Sequence, residues 1–264
     1  MFSPATTLSV LSPHTAVICL LNCILVRGIK FVKLGLMPHA DSALVPSGVD
    51  KAAFWTHVHE QLSYLLDGQR NWVRVLSFPA HQSGQSLTPS VFNLQVTNLA
   101  NAASLIYNSL AAFEPHFGSG ERAVNWCGFY MESNLFPSPQ IFRAQTGANK
   151  EHEVPDRLLL GPFCGKPACQ FIDTAPGKAR GVCADAYIAG KTVLVADVDA
   201  YPGHIACDGE TKSEIVCPLV LRKDGGEAAL GVLDLDCLVL GGFTSEDQQG
   251  LERIAQLVVD SCDW

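Results

Sequence analysis

Apolar residues recur along this chain with two different periods, and the order in which the periods occur predicts a layered α+β domain. From Lys51 to Arg70 they fall at helical spacing, with Phe54, Trp55, Val58, Leu62, Leu65 and Leu66 on one stripe. A second helix is expected from about Asn98 to Phe113, on a stripe of Leu99, Ala102, Ile106, Leu110 and Phe113. The period then shortens to that of strands, over Ala123 to Met131, Leu158 to Phe163, Cys169 to Ile172, Thr192 to Asp197, Glu214 to Leu221 and Ala229 to Cys237. A short helix from about Arg180 to Ala189 interrupts them, and a last one opens at the capping box Thr244-Ser245-Glu246-Asp247. Helices, strands, a short helix, strands and a final helix predict an antiparallel sheet of about six strands with helices packed on one face.

Two segments fall outside this pattern. Leu8 to Val26 is an apolar run broken by Pro13 and His14 and followed by Arg27, Lys30 and Lys33. A spanning anchor needs about 20 uninterrupted apolar residues and a cleavable signal a basic start, which Met1 to Thr7 lacks, so a membrane attachment is not expected. Residues 1–36 are read as an extension ahead of a domain that starts at Met37. The other segment, Arg74 to Gln95, is rich in Ser, Pro and Gln, has no clear period, and reads as an insertion between the first two helices.

Composition narrows the function. With 264 residues, 48% of them hydrophobic, the chain can bury one substantial core and is short for two full domains. A net charge of −8 excludes the basic surface that nucleic acids or anionic membranes require, leaving a small molecule or a protein as partner. Ten cysteines are many, yet no CxxC pair has zinc-finger spacing, so no metal is expected and reduced thiols in the cytoplasm fit best.

Strand alternation sorts these cysteines. Cys217 shares a face with Ile215 and Leu219, Cys237 with Leu233 and Leu235, and Cys127 with Phe129, which makes all three core residues. Glu214 occupies the opposite face, as do Asp234 and Asp236, two carboxylates at i and i+2 whose repulsion raises a proton affinity unless a positive ligand group relieves it. A solvated strand face is the plain alternative, and a binding site the better one. Trp126 and Tyr130 share a face with Gly128 between them, either as an aromatic wall for a ligand or as core aromatics. Cys169, Cys183 and Cys207 each follow Gly or Pro punctuation, and Cys207 sits among His204, Asp208 and Glu210. A thiolate there suits attack on an electrophilic sulfur, with a second cysteine resolving the sulfenic acid.

The segments Val124-Asn125-Trp126-Cys127-Gly128-Phe129-Tyr130, Leu160-Gly161-Pro162-Phe163, Gly203 to Asp208, Ser213 to Val220, Gly231 to Asp236 and Phe243 to Asp247 together resemble the free methionine-(R)-sulfoxide reductase family. The likeness covers Met37 to the end apart from the insertion, and it implies a single GAF domain. It also implies reduction of free L-methionine (R)-sulfoxide, with no bound cofactor and with thioredoxin, itself reduced by NADPH through thioredoxin reductase, recycling the enzyme. On this resemblance Cys207 is the nucleophile, Cys169 its resolving partner, and Cys183 a third family cysteine that stands as an alternative in either role. Glu214, Asp234 and Asp236 correspond to pocket carboxylates that hold the substrate and protonate the sulfoxide oxygen, with the roles undivided, and Trp126 and Tyr130 bracket the methyl-sulfur end.

The chain departs from that family at several points. Cys164 stands where Gln is usual and is close enough in sequence to Cys169 to compete for its disulfide, and Ala179-Arg180 lengthens the turn before Cys183. Removing Arg74 to Val96 joins Asn71-Trp72-Val73 to Thr97-Asn98-Leu99 as relatives read, so 74–96 is expected to be a retained intron, or a disordered loop if translated, and 1–36 untranslated sequence. GAF domains also pair through helices such as Lys51 to Arg70, so a homodimer is one expected arrangement. The competing functions are a GAF sensor that holds a small ligand without turnover and, on cysteine count alone, a zinc-binding scaffold.

Overall fold

The computed structural model describes residues 40–68, 72–74, 92–94, 96–114, 116–136, 156–205, 207–223 and 225–264. Residues 1–36, expected to be an extension, and all but the ends of the expected insertion lie outside them. Those ends form a two-stranded antiparallel pair, β1 (Trp72–Arg74) with β2 (Phe92–Leu94).

The main sheet has six strands in the order β5-β4-β3-β8-β7-β6, every neighbouring pair antiparallel. They are β3 (Val124–Glu132), β4 (Arg157–Gly165), β5 (Phe171–Asp173), β6 (Val193–Val195), β7 (Ser213–Lys223) and β8 (Gly226–Cys237). The central strands are long and apolar, whereas the edge strands β5 and β6 have three residues each, which limits pairing with another chain.

The period-two pattern assigns the faces as the sequence predicts. Cys127, Phe129, Met131, Ile215, Cys217, Leu219, Leu233, Leu235 and Cys237 point into a core covered by three long helices. These are α1 (Lys51–Leu66), α2 (Val96–Ala111) and α4 (Ser245–Asp260). The short α3 (Val182–Ala189) packs on the other face instead, where Val182, Cys183 and Ala186 meet Trp126, Tyr130, Val216 and Val232. That smaller second core is the wall of the pocket described below. Among the described residues no helix is long and apolar enough to cross a membrane.

The capping box of α4 does more than start a helix. Asp247 accepts hydrogen bonds from the Thr244 backbone N–H (2.7 Å) and from the Trp55 indole N–H (2.9 Å), and it pairs with Lys51, so the cap ties α4 to α1. Trp55 reaches it because Gly250, one turn on, has no side chain: a Cβ there would lie 2.2 Å from Trp55 Cγ. Asp247 is fully buried and Lys51 nearly so, at 0% and 8% exposed. Removing one partner of such a pair strands the other charge, so Asp247→Ala is expected to lower unfolding stability by about 3–5 kcal/mol. Urea denaturation checks this, and a loss below about 1 kcal/mol would show the pair to be solvent-screened.

Candidate active site

Register aligns the site chemistry across four strands. Glu214 pairs with Asp236, Asp236 with Trp126, and Trp126 with Gly165, while in the next row Val216, Asp234, Gly128 and Phe163 stand side by side. The three carboxylates therefore converge on the face opposite the helix-covered core. Gly128 is required there: a Cβ would lie 2.5 Å from the Trp126 ring and 2.4 Å from Phe163 Cβ, and the indole folds over this bare backbone. Trp126 stacks on Tyr130 at 5.7 Å and on Phe163 at 5.6 Å. Trp126 and Tyr130 are buried and also line a solvent-open pocket.

That pocket gathers every site residue expected from the sequence: Cys169, Cys183, Cys207, Glu214, Asp234 and Asp236, with the two aromatics. The Cys169 and Cys207 sulfurs are 2.6 Å apart, so the two loops already bring them within bonding reach. The Tyr130 hydroxyl fixes the Cys169 loop by donating to the Cys169 carbonyl at 3.0 Å. Asp208 fastens the Cys207 loop, accepting from the Glu210 backbone N–H and the Asn125 amide, each at 3.1 Å, and pairing with Lys166 at 3.1 Å. Those contacts, with the Glu210 N–H first, hold the Asp208 carboxyl below the usual range.

Cys183 is not a loop cysteine. It is the second residue of α3, which opens at Gly181 in the left-handed region (φ 85°). It is buried, with its sulfur 3.9 Å from Glu214 Oε1. Cys164, expected to compete for Cys169, faces the other way, paired in register with Cys127 and packed against the helix-covered core. It sits one position from Phe163 and Gly165 of the site-facing rows, and alternation turns its thiol away.

The electrostatics follow from the crowding. Burial first, then repulsion from Glu214, pushes the Asp234 and Asp236 carboxyls well above the usual range. A hydrogen bond to Glu214, 3.5 Å away, raises His204. Cys207 belongs to an exposed loop, yet its sulfur is shielded against Cys169, and this burial pushes the thiol up to about 12. Burial, with Asp234 and Glu214 behind it, also raises Cys183. Two buried polar atoms on the pocket wall, Asp234 Oδ1 and Trp126 Nε1, have no hydrogen-bond partner among the described residues.

The raised carboxyls make stability depend on pH with a definite sign. The native state retains protons that the unfolded chain releases above about pH 4, so their stabilising contribution is complete below that point and is lost as pH rises. Asp234→Asn removes one such group. Its gain in melting temperature over the parent is expected to be larger near pH 8 than near pH 5; equal gains would contradict the account.

The sequence missed Arg180, Thr211 and Ile205 on the pocket wall. Arg180 was visible only as part of a lengthened turn, and no periodicity marks a loop residue as facing a site.

No family model matches the chain. The free methionine-R-sulfoxide reductase of Saccharomyces cerevisiae is 37% identical over 227 residues, spanning 85% of this chain and 94% of that protein. The chain belongs to the free methionine-(R)-sulfoxide reductase family. The Escherichia coli reductase of the same name is 36% identical, over 61% of this chain and 74% of its own. Among solved structures, a GAF domain superposes with a TM-score of 0.59 at 35% identity, covering 86% of this chain and 97% of that one. The free methionine-R-sulfoxide reductase of Neisseria meningitidis, solved with its substrate, superposes with a TM-score of 0.55 at 29% identity over 83% and 93%. The fold is thus that of a GAF domain, and family membership sets an oxidoreductase reading above the sensor alternative.

Proposed function

We propose that this protein reduces free L-methionine (R)-sulfoxide to L-methionine, using Cys207 as nucleophile and Cys169 as resolving thiol. The observation that carries this reading is the meeting of the Cys169 and Cys207 sulfurs in the pocket that holds Glu214, Asp234 and Asp236. An oxide is too basic to leave a sulfur unaided, so attack on a sulfoxide needs a proton donor at its oxygen. Asp234 is that donor, because burial and its neighbours keep it protonated and its Oδ1 is uncommitted. Glu214 and Asp236 hold the substrate ammonium, Arg180 is the cation on the pocket wall for its carboxylate, and Trp126 and Tyr130 flank the methyl-sulfur end.

Cys207 starts as a thiol. As its sulfur attacks, the oxygen transfers to it and methionine departs, while the thiol proton passes through the carboxylates onto that oxygen, leaving Cys207 as a sulfenic acid. Cys169 then attacks the Cys207 sulfur, the hydroxyl leaves as water with the Cys169 proton, and the disulfide forms. Two thiols have supplied two electrons and two protons. A thioredoxin dithiol, reduced by NADPH through thioredoxin reductase, restores the pair by exchange at the exposed Cys207 loop, and a reducing cytoplasm suits such a cycle.

One observation favours a second assignment. Cys183 lies within hydrogen-bonding reach of Glu214, its sulfur 3.9 Å from Oε1. A single-turnover experiment decides between them: reduced protein with excess substrate and no thioredoxin, followed by peptide mass spectrometry. One methionine and one Cys169–Cys207 disulfide per chain are expected. A disulfide containing Cys183 would move the attack there, and no methionine from a folded, reduced chain would overturn the function.

A further inference from the structure

The buried end of the pocket holds a donor set that thiol chemistry alone does not use. Donor atoms of Cys183, Glu214 and Asp234 lie within 4.8 Å of one another, and all three residues are buried. Cys183 Sγ is 3.9 Å from Glu214 Oε1, and His204 Nε2 is 3.5 Å from Glu214 Oε2. Around tetrahedral zinc, with bonds of about 2.3 Å to sulfur and 2.0–2.1 Å to oxygen, neighbouring S and O donors are about 3.6 Å apart. The Cys183–Glu214 separation thus stands within a few tenths of an ångström of that value, Asp234 lies within 4.8 Å of both, and His204 holds the other Glu214 oxygen as an orienting partner. Asp234 adds an independent pointer: it is 6% exposed, and its Oδ1 is buried on the pocket wall without a partner among the described residues.

We propose that Cys183, Glu214 and Asp234 bind one thiophilic divalent cation of the Zn²⁺ class in the reduced protein. A dication offsets the repulsion among the carboxylates that burial intensifies. The thiol selects a borderline-soft ion over Mg²⁺ or Ca²⁺, which prefer six or more oxygens. Binding breaks the Cys183 S–H bond and the Asp234 O–H bond, releases both protons to solvent and forms sulfur–metal and oxygen–metal bonds, with no change of oxidation state. The assignment departs from the expectation of no metal because that expectation rested on CxxC spacing, whereas these donors come from α3, β7 and β8. The cation occupies the space used by the polar end of the proposed substrate, so each excludes the other. That exclusion rests on the proposed function; the binding does not.

The test uses the full chain, reduced with a non-thiol phosphine, titrated with Zn²⁺ against a chromophoric chelator and with Co²⁺ by absorption. One ion per chain and a thiolate-to-cobalt charge-transfer band are expected. Cys183→Ser should abolish the band and weaken zinc binding at least about tenfold, the scale on which shell changes alter metal affinity. Asp234→Asn, which preserves side-chain shape, should weaken binding as well and keeps the test decisive if Cys183→Ser does not fold. Cys207→Ser should keep both band and affinity. No binding, a band that survives in Cys183→Ser, unchanged affinity in Asp234→Asn, or a band lost in Cys207→Ser would each overturn the site, the last by assigning the ion to the Cys169–Cys207 pair. Turnover of metal-free samples is scored separately, so failure of the reductase reading is distinguishable from failure of the metal site.

Discussion

Replacing Cys207 with Ser is expected to lower turnover of free methionine (R)-sulfoxide by a factor on the order of 10⁴ or more, the scale of losing a covalent nucleophile. A hydroxyl is a far poorer nucleophile toward sulfur, and it cannot accept the oxygen as a sulfenic acid or pair with Cys169. The fold should tolerate the change, because Cys207 stands in an exposed loop fastened by Asp208 rather than in either core. Cys169→Ser should behave differently. It removes only the resolving thiol, so it should still yield up to one methionine per chain before stopping. If Cys207→Ser also yields that single methionine while Cys183→Ser yields none, the nucleophile is Cys183.

Asp234→Asn is the second large effect, a fall in kcat of about 10²- to 10⁴-fold, as for loss of a positioned general acid. An amide matches the carboxylic acid in shape and can donate a hydrogen bond, but it cannot give up its proton to the sulfoxide oxygen. Substrate affinity should change little, because Glu214 and Asp236 remain to hold the ammonium. The alkaline limb of the parent pH profile, where Asp234 itself ionises, should vanish in the variant. A variant with full kcat, or one altered only in KM, would move acid catalysis elsewhere in the cluster.

Much of this site was legible in the chain because strand geometry has a fixed period of two. Alternation separated Cys127, Cys217 and Cys237 from Glu214, Asp234, Asp236, Trp126 and Tyr130, and the sheet keeps that division. Register was not legible. The pairing of Glu214 with Asp236, which turns three separate acids into one cluster, depends on how β7 meets β8 across a bulge between Leu219 and Val220. The meeting of Cys169 with Cys207 was available only through the family resemblance, since loop contacts across 38 residues leave no local pattern. The placement of α3 on the site face was missed for a related reason. Its eight residues are apolar nearly all round, so no stripe indicates which side of the sheet they cover.

The capping box shows the opposite balance. Thr244 and Asp247 were readable as a helix start, yet their recruitment of Lys51 and Trp55 required the tertiary contact between α4 and α1 that Gly250 permits. A local signal here became a long-range tie, and the sequence showed only its local half.

On the proposed function, this pocket reduces a free amino-acid sulfoxide of one configuration. The most direct test is NADPH consumption with thioredoxin and thioredoxin reductase, measured on free L-methionine (R)-sulfoxide, on the free (S) epimer and on a peptide-bound sulfoxide. One NADPH consumed per methionine formed from the free (R) epimer, and no turnover of the other two, is the expected result. A folded, reduced chain that leaves the free (R) epimer untouched, or that turns over both epimers equally, would contradict it.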